Sequence, residues 1–115
     1  MKTHLFTVMT GAVKNIFGVL PGLSKPGYHA KLHDTRRFAG MLLDLAQYIS
    51  PRLSIMDAVV AMEGDGPGGG DPRQVGLLIG SENPLALDVI AGEIMGIDPT
   101  RNPIIVEAES RGLKP

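Results

Sequence analysis

The chain has 115 residues, of which 43% are hydrophobic, 20% charged and 4% aromatic, and its 11 basic and 12 acidic residues give a formal net charge of −1. This size fits one domain, and the balanced charge with few aromatic residues argues against a nucleic-acid partner. The chain has no cysteine, which excludes disulfides and thiolate-bound metals or iron–sulfur clusters within it. No apolar run approaches about 18 residues and no signal peptide is visible, so we expect a cytoplasmic protein without a membrane partner.

The N-terminal third predicts one strand and one short helix. Residues 4–9 are apolar and β-branched enough for a strand. Thr10 can cap a helix that runs through Phe17, with Gly18 as its stop. Residues 18–33 contain two prolines and three glycines, and this composition indicates a structured loop.

The middle of the chain predicts a long helix followed by two strands. Asp34 is a plausible N-cap, and Ser50-Pro51 ends the helix. Residues 53–61 and 75–80 are apolar runs of the length expected for buried strands. The apolar stripe of the helix has spacings of three and four: Phe38, Met41, Leu42, Leu45 and Ile49.

The last third predicts two helices. Asn83-Pro84 is a strong helix start, and the helix runs to about Met95 with apolar residues almost all round, which is typical of a buried helix. A last helix near 104–111 looks exposed on one side. The element order predicts an α/β fold, a small sandwich with a mixed sheet of about three strands packed by helices, as a single domain over 1–115. Because three strands make a narrow sheet, we expect an incomplete domain or a sheet completed by a partner.

The stretch MEGDGPGGGDP, residues 62–72, contains five glycines between the two central strands. Such a run can supply positive φ angles, close backbone approach, or N–H groups that cradle an anion. It lacks the Lys-Ser/Thr of a P-loop and the strand–turn–helix context of a dinucleotide fingerprint. The sequence leaves three alternatives: a long hairpin connection, a loop that contacts a ligand, and a metal-binding loop.

Two carboxylates stand within apolar segments. Asp57 interrupts a predicted strand, and Asp88 lies on the apolar helix. Burying a carboxylate without a partner costs several kcal/mol, on the order of 3 or more, so each is a candidate site residue. The alternative is that Asp57 lies at a strand end and caps the neighbouring loop, while Asp88 lies at the solvent edge of its helix.

The N-terminal segment adds basic and polar candidates. His4 can transfer protons near neutral pH, and Lys2, Lys14 and Asn15 can hold an anion. The competing interpretation is a structural histidine beside solvated lysines. His29 and His33 have the i, i+4 spacing of zinc ligands, but no HExxH motif accompanies them. We therefore expect no metal site and no stoichiometric iron or zinc in the purified chain.

Three blocks, KTHLFTVMTGAVKNIFG, SIMDAVVAMEGDGPGGGDP and GLLIGSENPLALDVIAGEIMGIDP, resemble the family called domain of unknown function 362 over about residues 2–100. The resemblance implies an association with bacterial and archaeal iron–sulfur proteins, whose members carry a ferredoxin-like segment with 4Fe–4S motifs. It also implies that this chain is the C-terminal part of such a domain. With no cysteine here, the cofactor expectation is none within this chain and a 4Fe–4S cluster in a separate segment of the full-length protein.

These observations support two functional hypotheses. In the first, a common cleft binds a small anionic ligand or substrate, with Glu63 or Asp57 as base or cation partner and Lys14 and His4 as anion holders. In the second, the chain is a non-catalytic module that docks a ferredoxin-type redox partner or forms a homo-oligomer. Whether the chain is an enzyme stays open. The further residues expected to bind the ligand are Lys2, Asn15, Gly64, Asp65, Gly66 and Asp88, with Pro67 beside them.

Overall fold

A computed structural model describes residues 1–115, except for the side chains of residues 29 and 30. Three short 3₁₀ turns, at Ile16–Val19, Gly22–Ser24 and Pro99–Arg101, connect the longer elements. The helices and strands are β1 Lys2–His4, β2 Val8–Thr10, α1 Ala12–Asn15, α2 Lys25–Lys31, α3 Thr35–Ile49, β3 Ser54–Glu63, β4 Asp71–Ser81, α4 Pro84–Ile94 and α5 Pro103–Ser110.

The sheet is mixed and has the strand order β2-β1-β3-β4. Strands β1 and β3 are parallel, and the two outer pairs are antiparallel. The α/β class is confirmed, with four strands where about three were expected. The additional strand arises because residues 4–9 do not form one strand: the backbone turns after His4, whose Nδ1 accepts hydrogen bonds from the N–H groups of Phe6 (3.1 Å) and Thr7 (3.4 Å).

Three expectations for the next segment were wrong. Gly11, not Thr10, occupies the N-cap of α1 without a side-chain bond, because Asp88 from α4 supplies the capping oxygens. The helix then tightens into a 3₁₀ turn that passes Gly18. The stretch 18–33 contains α2 where a loop was expected, and Pro26 in the first turn of α2 is compatible with a helix because that N–H needs no partner.

Helix α3 follows the prediction closely. Asp34 caps it by accepting from the Arg36 N–H at 2.9 Å, and the helix ends at Ser50 in the left-handed conformation, with φ 47°. Its apolar stripe enters the larger core cluster, where Phe38 is fully buried and meets Phe6 and Phe17 edge to face at 5.4 Å.

Helix α5 packs on α3 and, as expected, is exposed on one side, where Val106 and Glu109 lie in solvent. Glu107 is buried and forms ion pairs with Arg36 of α3 and with Arg111, both at 2.8 Å. Arg111 also reaches Asp44 of α3 at 2.6 Å. Glu107 and Arg111 therefore join the two helices to each other.

Helix α4 links two core clusters. The Asn83 cap is confirmed, since its Oδ1 accepts from Leu85 N at 2.9 Å. Leu85 enters the larger cluster, whereas Leu87 packs in a smaller one against the sheet. The expectation of burial all round was wrong, because Ile90 and Ile94 lie on the outer side of the helix and are exposed.

Strands β3 and β4 are longer than expected and are not buried on both sides. Met56, Ala58 and Ala61 are buried beneath the helices. The opposite side of the strand pair carries apolar side chains in solvent, and we call this surface the open face. The open face is formed by Ile55, Val59, Val60 and Leu78, which are 71%, 45%, 52% and 70% exposed.

Candidate functional site

The glycine-rich segment is a hairpin connection that packs on β1. Glu63 pairs with Asp71 across the hairpin, and residues 64–70 connect the strands. The Leu5 N–H donates to the Gly66 carbonyl at 3.2 Å. A Cβ at Gly66 would overlap the Thr3 carbonyl, and one at Gly70 would overlap the Glu63 carbonyl. Close approach of backbone to backbone therefore accounts for these two glycines without a ligand.

Lys2 contacts this loop, whereas Lys14 lies on α1. The Lys2 Nζ donates to the Pro67 carbonyl at 3.2 Å. Burial lowers the pKa of the half-buried Lys14 ammonium, and the charge of Lys2 lowers it further. An anion near both ammonium groups would be stabilised by their positive charges.

His4 has a structural contact that the sequence did not reveal. Its Nδ1 is an acceptor for the two N–H groups of the β1–β2 turn. This arrangement requires an unprotonated Nδ1 and orients the imidazole within the turn. His4 therefore stabilises the hairpin, whatever further role it has.

Asp57 lies in the interior of β3 but is exposed. Its Oδ1 accepts from Val59 N at 2.9 Å, where the β3–β4 register shifts. Its backbone carbonyl accepts from the Met1 amino group at 2.6 Å. A cavity of about 380 Å³ between β3 and α1 is lined by Asp57 together with Asn15 and Met1. Two predicted site residues, Asn15 and Asp57, therefore meet in one cavity.

Glu63 lines a different cavity, of about 460 Å³. Its Oε2 pairs with Arg73 Nη1 at 3.0 Å, and both side chains are more than half exposed. Apolar residues from the end of α4, Ile94 and Met95, line it together with Ile97 and with strand residues such as Val75. This cavity is therefore lined by apolar side chains together with the Glu63–Arg73 ion pair.

Asp88 is the most deeply buried of the predicted site residues, 2% exposed. Its carboxylate accepts from the backbone N–H groups of Ala12 at 2.5 Å and Val13 at 3.1 Å. Burial raises the pKa of Asp88 to about 6, against the lowering effect of the two hydrogen bonds. Any side chain at Gly11 would overlap this carboxylate.

The expected single cleft is divided among several places. Lys2 contacts the loop that contains Gly64, Asp65 and Gly66. Asn15 meets Asp57, Glu63 lines the second cavity, and Asp88 is enclosed beneath α1. The sequence did not indicate the open face, because residues 55–60 and 75–80 do not alternate between apolar and polar residues. It also did not indicate the hydroxyls of Thr3 and Thr10, which are buried without a hydrogen-bond partner among the described residues.

The donor set does not fit an iron–sulfur cluster. The chain supplies no thiolate, and such clusters are held by cysteine. Within the described part of the chain, no three His, Asp or Glu side chains come together as metal ligands. The side chain of His29, considered above with His33, lies outside the described residues. Among those residues, no helix has both the length and the apolar character needed to cross a bilayer.

Fold and surface define a small α/β domain whose mixed sheet carries helices on one side and an open apolar face on the other. The family profile of the domain of unknown function DUF362 matches residues 1–93, and the chain belongs to this family. This finding confirms the resemblance inferred from the three sequence blocks.

A thylakoid-associated protein of Synechocystis sp. (strain PCC 6803) is 43% identical to the chain over 116 residues. The match covers 100% of this chain and 36% of that relative, so the chain spans little more than a third of the relative's length. No solved structure shows a significant match.

Proposed function

We propose that this chain is an interaction module of a DUF362 protein, and that it binds another polypeptide surface through the open face. The observation that supports this function is the exposure of Ile55, Val59, Val60 and Leu78 on neighbouring strands. A contiguous apolar surface of this kind is typical of protein–protein contacts. Strand β4 is also the edge of the sheet, and an unpaired edge can accept a further strand.

The first test is the concentration dependence of self-association in the isolated chain. We expect sedimentation velocity to show oligomers that increase with concentration, because an uncovered apolar face associates with itself. Leu78→Glu should shift this equilibrium strongly toward monomer, since it places a charge at the centre of the face.

Leu23→Glu is the matched control, because Leu23 is 99% exposed but lies in the 3₁₀ turn before α2. It should associate like the wild-type chain. A wild-type chain that stays monomeric over the whole concentration range, or a Leu78→Glu variant that associates equally, would overturn the proposal.

The partner class and the location follow from different observations. The family resemblance implies a ferredoxin-type module as the partner, and the open face would provide its docking surface.

The Synechocystis relative is named for its association with thylakoids, whereas the sequence predicts a cytoplasmic protein. Cell fractionation with an antibody against this chain distinguishes the two locations for the native protein.

A second candidate function is binding of a small anion beside the glycine-rich loop. It is favoured by the contact of Lys2 with the loop and by Lys14, whose pKa is lowered by burial and further by the charge of Lys2. An anion would be stabilised by both charges and by N–H groups of the loop. In this function Glu63, on the neighbouring cavity, would accept a proton or contact a cation at the ligand.

Titration with inorganic phosphate, followed by amide chemical shifts, tests this candidate. We expect saturable shifts at the loop, lost in Lys14→Gln and reduced in Lys2→Gln. Lys114→Gln, at an exposed lysine near the C-terminus, should bind like the wild-type chain. If Lys14→Gln and Glu63→Gln both retain wild-type binding and fold, the anion site lies elsewhere.

A further inference from the structure

The composition of the open face indicates a permanent contact. Within residues 55–60 and 75–80, Asp57 is the single charged residue. Its carboxylate already accepts a hydrogen bond from Val59 N, so covering the face would not leave that oxygen without a partner. Obligate interfaces are more apolar than transient ones and are depleted of charge at their centre. A transient redox partner would be expected to meet a more polar surface.

The architecture leads to the same conclusion. Helix α4 packs against the buried side of β3 and β4, with Leu87 and Ala91 beside Met56. No described residue covers the other side at Ile55 or Leu78, which remain mostly exposed. A sheet whose strands are apolar on both sides requires a layer on each of them. The layer that covers this side of the sheet is therefore part of the fold and not an optional contact.

On these grounds, and resting on the interaction function proposed above, we infer that the occupant of the open face is the remainder of a DUF362 polypeptide. The match spans 36% of the Synechocystis relative, which leaves the larger part of that protein to supply a covering layer. The required layer is a helix or sheet surface with apolar side chains facing Ile55 and Leu78. A second copy of this chain and a separate redox protein are the competing occupants.

Thiol protection tests the occupant, since the wild-type chain has no cysteine. Leu78→Cys and Tyr48→Cys are made in this chain, and cysteine is placed at the two aligned positions of the full-length Synechocystis relative. Tyr48 is the control because it is 87% exposed at the end of α3. Alkylation rates are followed by mass spectrometry, which separates the introduced thiols from any native ones.

In this chain at low concentration, both introduced thiols should react at similar rates. In the full-length relative, the thiol aligned with Leu78 should react at least about tenfold more slowly than the thiol aligned with Tyr48, because a covered thiol reacts only when the interface opens. Equal rates in the relative would overturn the inference. Protection of Leu78→Cys in this chain at high concentration, with none in the relative, would assign the face to a second copy. That result would support the interaction function but overturn the inference that the remainder of the polypeptide covers the face. No protection in either protein would overturn both the interaction function and this inference.

Discussion

Asp88 shows how one buried carboxylate joins two elements that are distant in sequence. It lies on α4, yet its two oxygens accept the first N–H groups of α1. Gly11 leaves room for this contact, since any larger residue would overlap the carboxylate. The sequence predicted that a buried Asp88 needs a partner, and the backbone N–H groups of Ala12 and Val13 provide it. Asp88 therefore has an established structural role, and its place in a ligand site stays a prediction.

The raised pKa of Asp88 predicts a defined pH dependence of stability. Because the pKa rises from 3.8 to about 6 on folding, the native state holds this proton more tightly than the unfolded state. Its contribution to the free energy of unfolding is therefore most favourable below pH 3.8 and falls as pH rises toward 6, by on the order of 3 kcal/mol.

Urea unfolding between pH 4 and 7 measures this effect. Asp88→Asn should lack the decline that the wild-type chain shows, because the amide does not ionise. Val89→Ala, one residue further along α4, should lower stability by a similar amount at every pH. If wild type and Asp88→Asn have parallel pH profiles, the carboxylate does not titrate in this range.

At the scale of elements, two helices begin with the same dipeptide. Asn83-Pro84 starts α4 and Asn102-Pro103 starts α5, and in each the asparagine Oδ1 accepts from the N–H two residues on. The proline needs no hydrogen bond at the first helical position, and its φ is already close to the helical value. The sequence identified the first start correctly, and the same reasoning applies to the second.

We expect Asn102→Ala to destabilise the chain by about 1–2 kcal/mol, near the upper end for an N-cap. Asn102 is 2% exposed, so water can hardly replace the hydrogen bond that the Ile104 N–H loses. Asp98→Ala is the control, since Asp98 caps only the exposed 3₁₀ turn by accepting from Thr100 N at 2.9 Å. This variant should lower the free energy of unfolding clearly less than Asn102→Ala. The shift of the urea midpoint measures both losses, and equal shifts would contradict the role of burial.

At the scale of the whole molecule, the distribution of apolar surface is uneven. One core cluster lies among α1, α3 and α5, and a smaller one lies between α4 and the sheet. The open face belongs to neither. A domain of 115 residues can bury a modest core, so this exposed surface does not follow from small size. This exposed surface is the observation behind the proposed interaction function.

Local sequence patterns were sufficient to predict much of the fold. The stripe of α3, the caps at Asp34 and Asn83 and the two central strands depend on neighbours within a few residues, so the sequence alone predicts them. The three blocks likewise identified the family. The strand at residues 4–9 was mispredicted because a side-chain acceptor, His4, turns the backbone there.

Long-range packing decided the rest. The sequence marked Asp57, Glu63 and Asp88 as carboxylates in apolar surroundings, but only the tertiary structure placed one in each of three environments. The sequence determined that the chain forms an α/β domain of the DUF362 family, whereas the tertiary structure showed that the glycine-rich segment is a hairpin connection. Which side of β3 and β4 is covered depends on contacts between residues far apart in sequence, and such contacts leave no periodic signal along the chain.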